Sequence, residues 1–178
     1  TILKSMQNIN AFTAIDKEAT YQDVEQSLSE SLRSISLFLN GCRSIIPDDL
    51  LYQIAGKLLQ CVCTQIIDHV YKHIDEYGGI GMDAGHNISL LIEHVAEFEI
   101  LSNDLEYITR NIEGWNRFRK IGELLHRDEN LEKLTQKLQS RELHCFDKER
   151  LIKLVCAIWE DIPKRKAFIE KAEKQLSD

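Results

Sequence analysis

The densest run of chemically capable side chains is CVCTQIIDHVYKH, residues 61–73. His69 and His73 stand at i and i+4, the spacing at which two imidazoles on one helix face can share a zinc ion. The hydrolytic form of that pair needs a Glu directly after the first His, and Val70 holds the position. Cys61 and Cys63 do not complete a ligand set, because side chains two apart on a helix point about 200° apart around its axis. The run reads as helix packing, and no metal is expected. GGIGMDAG, residues 78–85, has the glycines of a phosphate-binding loop but not its Lys-Ser/Thr ending, and a helix rather than a strand leads into it. It reads as a helix-to-helix connector. Cys145 beside His144 pairs a nucleophile with a base in sequence, yet a dyad needs facing side chains, which neighbours rarely supply. His86, His94 and His126 are scattered, and no pair of carboxylates stands apart from a generally acidic surface. No catalytic group and no cofactor site is expected, and the chain reads as non-enzymatic.

Helices must carry these side chains. The 178 residues include 8 Gly and 2 Pro, too few for a β protein that turns about every ten residues. The hydrophobic share of 43% and charged share of 29% are an ordinary globular balance on a chain long enough for a substantial core. The five cysteines (Cys42, Cys61, Cys63, Cys145, Cys156) are odd in number and mostly sit within apolar helical patterns, as reduced thiols of a cytosolic protein do. No uninterrupted apolar run approaches the roughly 20 residues that span a bilayer. A formal net charge of −7 argues against nucleic acid as a partner, since phosphates are neutralised by clustered Lys and Arg. The one basic cluster, Lys164, Arg165, Lys166, Lys171 and Lys174, lies where it complements the negative end of a helix dipole.

Apolar periodicity places the elements. Ile2, Met6, Ile9, Phe12 and Ile15 or Asp16 approximate one face of a helix running in from upstream. Thr20 reads as the N-cap of the next, whose stripe is Val24, Leu28, Leu32, Ile35 and Leu39, ended by Asn40-Gly41. Pro47, Asp48 and Asp49 start a long helix carrying Leu51, Ile54, Leu58, Val62, Ile66, Val70 and Ile74 as far as Gly78-Gly79. A third helix carries Ile88, Leu91, Ile92, Val95 and Phe98, and a fourth Leu101, Leu105, Ile108 and Ile112, closed by Gly114. Trp115, Phe118, Ile121 and Leu125 follow, then Leu131, Leu134 and Leu138. The last helix starts at Asp147, with Phe146 placed to staple onto Leu151, and Pro163 kinks or restarts it. The prediction is an all-α, elongated antiparallel bundle or rod of six to seven helices. Residues 1–45 would continue an upstream rod and 46–178 would form a C-terminal bundle. With no initiator Met, the chain reads as the C-terminal part of something longer.

The ending FDKERLIKLVCAIWEDIPKRKAFIEKA, residues 146–172, resembles the C-terminal signature of the Zeste-white/Dsl family of vesicle-tethering subunits. The matching positions are Phe146, Glu149, Leu154-Val155, Ala157-Ile158-Trp159, and Arg165-Lys166 before Ile169. Upstream, GWNRFRKIGELL is similar to the family's Trp-x-x-Phe element, through Trp115, Phe118 and the Leu124-Leu125 pair. The stretch LLQCVCTQIIDHVYKHIDEYGGIGMDAGHNISLLIEHV matches its long helix, short glycine-containing link and following helix. The likeness covers roughly residues 50–175 and fits the Dsl branch better than the animal branch that also serves kinetochores. Pro163 departs from the pattern by interrupting the last helix.

This resemblance implies a CATCHR-type subunit: helical rods that assemble into a tether, capture coat-protein-I vesicles returning from the Golgi and support SNARE assembly. It implies a cytoplasmic protein held peripherally on the endoplasmic reticulum membrane through its partners. Those partners would be a helical-solenoid tether subunit docking near this C-terminal region, other tether subunits, SNAREs and coat proteins. A patch near the final helix, with Lys164, Arg165, Lys166, Trp159 and Phe168, is the expected partner contact, although a Trp or Phe at helical spacing also fills its own core. The alternative is a helical scaffold or regulatory-binding domain unrelated to trafficking.

Overall fold

A computed structural model describes residues 12–98, 106–126, 130–160 and 162–176, and all its regular elements there are helical. They are α1 (Glu18–Cys42), α2 (Asp48–Tyr77), α3 (Met82–Ala96), α4 (Trp115–His126), α5 (Leu131–Gln139), α6 (Lys148–Ile158) and α7 (Ile162–Gln175), with a short helical piece at 106–109. The protein is an all-α bundle, as its composition and periodicity predict.

The 30 residues of α2 make a rod of about 45 Å at about 1.5 Å per residue. Pro47 leads into it, Asp48 and Asp49 oppose the positive end of its dipole, and Gly78 stops it in the left-handed region (φ 74°), donating its N–H to Ile74 at 2.8 Å. Only glycine takes that torsion without a Cβ clash. Leu51, Leu59, Val62, Ile66, Val70 and Ile74 are buried along α2, and α1, α3, α4 and α6 all pack against it. By length and average hydropathy α2 passes as a possible membrane span; here it is the core helix. Two polar contacts pin it and its exit to α6. Tyr71 Oη donates to the Arg150 carbonyl at 3.2 Å, and Ile80 N–H donates to the Ala157 carbonyl at 2.9 Å.

The most extensive helix pair is α3 with α4. They approach closely because each presents a glycine. A Cβ on Gly122 would stand 2.8 Å from Ile92 Cγ2, and one on Gly85 would stand 3.0 Å from the Leu125 carbonyl oxygen. Such an approach lets two backbones pack without an intervening layer of side chains. At the C-terminus α7 packs on α5 and α6. Asn130 and Asp147 cap α5 and α6, accepting from Lys133 N–H and Arg150 N–H at 2.9 Å each.

Several expectations are corrected. Residues 12–17 form turns rather than a helix, with Phe12 (φ 54°) and Ala14 (φ 55°) both in the left-handed region. Phe12 and Ile15 are buried all the same, and Asn87 Nδ2 donates to the Ile15 carbonyl at 2.8 Å, pinning the turn to α3. Thr20 is not an N-cap: α1 begins at Glu18, and Lys17 before it makes no side-chain cap. GGIGMDAG is only half a connector, since Met82 to Gly85 already belong to α3. Pro163 restarts rather than kinks, because α6 ends at Ile158 and α7 begins at Ile162 with Pro163 in its first turn. Ile2, Met6, Ile9, Leu101 and Leu105 lie outside the described residues. The buried side chains of α1 join one core with those of α2 and α3, across position 45.

Candidate partner-binding surfaces

Around the final helix, the five expected contact residues divide by environment. Phe168 is 1% exposed and packs in the core. Arg165 turns inward: its Nη1 donates to the carbonyls of Cys156 (3.2 Å) and Trp159 (3.1 Å), satisfying acceptors that the end of α6 leaves open. Trp159 is half-buried in extended backbone (φ −109°, ψ 124°) at this break. Lys164 and Lys166 are exposed, Lys164 pairing with Glu132 of α5 at 3.5 Å. The outward-facing part of the expected patch is therefore Lys164 and Lys166, and Ile162, which was not among the expected residues, is exposed beside them. Beside it, Lys164 and Lys171 border an open cleft of about 290 Å³ between α5 and α7.

A second surface escapes the periodicity analysis. Ile45 is 81% exposed and Leu37 64%, with Phe38 and Leu50 about half exposed, all at the elbow joining α1 to α2. Exposed apolar residues grouped on a polar surface mark contact regions. The available signal was phase: Leu37 and Phe38 fall outside the Leu28, Leu32, Ile35, Leu39 stripe that faces the core.

The chemically capable residues are brought into packing roles. Burial pushes the Cys63 thiol up to about 12, which makes it inert. Burial also raises Cys145, the reverse of what an activated nucleophile needs, and its Sγ sits 3.9 Å from the Glu142 carbonyl while His144 is exposed. His69 lies against the Phe12 ring (centroids 5.3 Å apart) and His73 against Tyr77 (4.6 Å). Among the described residues no three His, Cys, Asp or Glu side chains converge as a metal site would require.

The two histidines should make the fold acid-sensitive. Burial lowers both below the ordinary His value; Lys72 adds to this at His69 while Asp68 opposes it, and at His73 the Phe12 backbone, Asp16 and Glu76 oppose it. In the unfolded chain they titrate near 6.5. Between that value and the depressed folded values the unfolded chain binds more protons, so stability falls as pH drops from about 6.5. The urea midpoint should fall between about pH 7 and pH 5, and less steeply in His69→Gln/His73→Gln. An equal slope in the double variant would remove these rings as the cause.

No protein-family model matches the chain, and neither does any curated protein sequence.

Proposed function

We propose that this chain is the C-terminal helical region of a non-enzymatic vesicle-tethering subunit of the Zeste-white/Dsl kind. It would serve Golgi-to-endoplasmic-reticulum capture of coat-protein-I vesicles and SNARE assembly, docking a helical-solenoid tether subunit. In this reading it is cytoplasmic and reaches the endoplasmic reticulum membrane peripherally, through its partners. The supporting observation is that most of the apolar residues carrying the resemblance are packed into the common core. Trp115 stacks on Phe118 (centroids 5.7 Å apart), and Phe118, Leu124, Leu125, Phe146, Leu154, Val155, Ala157 and Ile158 are buried. Arg165 secures the turn between the last two helices. A tether needs this rather than a catalytic cleft: rigid helices with exposed contacts at their ends.

Affinity capture from cytosol tests the reading, with the wild-type chain beside Lys164→Glu/Lys166→Glu. Arg165 is left intact because reversing it would strip the end of α6 of its donors. Lys164 can be changed because an exposed pair such as Lys164–Glu132 contributes less than about 1 kcal/mol. The wild type should retain a helical-solenoid tether subunit together with SNARE-associated proteins, and the variant should retain less. Retention of neither would leave the alternative, a helical scaffold domain outside trafficking.

A further inference from the structure

We infer that the cleft between α4 and the α5–α6 connection binds an acidic peptide segment of a partner protein, its carboxylates held by Arg119 and Arg141. The inference is independent of the tether reading. The cleft, about 500 Å³, is lined by Asn116, Arg119, Lys120, Glu123, Arg141 and Glu142 among others. Its floor is an ion network. Lys120, 23% exposed at its side chain, reaches Glu123 at 2.6 Å and Glu142 at 4.0 Å, and Lys137 reaches Glu123 at 3.7 Å. The two carboxylates are thus already engaged. Arg119 and Arg141, both exposed, line the same cleft and form no ion pair among the described residues. Three cations line the cleft against two carboxylates, a local sign opposite to that of a chain whose net charge is −7.

Arg141 carries the second line of argument. It closes α5 in a Schellman motif: Glu142 N–H donates to the Lys137 carbonyl at 3.0 Å, and Arg141 N–H to the Leu138 carbonyl at 3.2 Å. That motif sets φ at 67° for Arg141. Glycine is the residue for this torsion, and the chain uses it at Gly78 and Gly114 (φ 74° each). At position 141 it accepts backbone strain and carries a guanidinium at the cleft instead. Strain kept at a surface site is grounds for a functional reading of the side chain.

The ligand class follows from the lining. Among the described residues no aromatic ring lines the cleft for a base or sugar to stack on. Guanidinium forks match planar carboxylates in bidentate fashion. Two such forks lining one cleft beside already engaged carboxylates suit successive carboxylates of an acidic segment.

Fluorescence anisotropy with a dye-labelled Asp/Glu-rich dodecapeptide at roughly 0.1 M salt tests this. Arg119→Ala/Arg141→Gly should weaken binding about tenfold or more, as loss of charge-assisted hydrogen bonds does. The same variant should melt no lower than wild type, because glycine suits position 141. Arg119→Ala alone, at an exposed position, should weaken binding severalfold. Arg33→Ala/Lys57→Ala removes the same charge from α1 and α2 and should bind as wild type. Equal weakening in both double variants would reduce the effect to net charge and overturn the inference. So would absence of binding by the wild type. Displacement of the peptide by equimolar inorganic phosphate would overturn it too, by making the cleft a small-anion site.

Discussion

Gly122→Leu should melt roughly 6–12 °C below the wild type, equivalent to about 3 kcal/mol for overpacking at about 2–4 °C per kcal/mol in a domain of this size. On an exposed helix face the same change would stabilise, since Gly is roughly 0.5–1 kcal/mol worse than a good helix former. Here the first added carbon would meet Ile92 Cγ2 at 2.8 Å and Ile92 Cβ at 3.3 Å. The second of these atoms is fixed to the α3 backbone, so the helices must separate to admit the side chain. Separation would open the most extensive contact in the bundle. Gly41→Ala is the internal control. A Cβ at Gly41 has nothing within 4 Å, so this substitution should leave Tm unchanged or raise it. If Gly122→Leu melted with the wild type, the close α3–α4 approach would not exist in solution.

Phe168→Ala should lose about 3–5 kcal/mol, read as a large drop in urea midpoint at unchanged slope. The ring is 1% exposed, so its removal leaves a cavity where α7 packs on α5 and α6. Lys166→Ala, exposed two residues earlier, should be neutral within about 0.5 kcal/mol. The contrast separates the two roles that residues near the final helix were expected to play. A Phe168→Ala chain of wild-type stability that lost a partner would return this ring to the surface.

Where local chemistry decides, the sequence was a sufficient guide. Pro47, Asp48 and Asp49 mark the start of α2 and Gly78 its end, because each acts on its own backbone. Asp147 caps α6 for the same reason. Tertiary context decided the rest. The Phe12 and Ile15 spacing correctly signals burial but not the turn, because Phe12 and Ala14 take left-handed torsions that no side chain there advertises. Gly85 looks like a linker glycine until α4 is seen to press on it. Arg165 belongs to a basic run in sequence, and its capping role exists only because the chain turns at Trp159. Arg119 and Arg141 lie on different elements, and only the fold places them on one cleft. Leu37 and Phe38 were apolar letters in an apolar helix, and only the direction of the core reveals that they face outward.

The distribution of contacts around α2 also bears on which amides should open together. Because α1, α3, α4 and α6 all lean on α2, its central amides open only when most of the bundle opens, and their hydrogen exchange reports global unfolding. α7 leans on α5 and α6, so its amides should report that local packing rather than the packing around α2. A partner seated on Lys164 and Lys166 should then slow exchange in α7 far more than at the centre of α2.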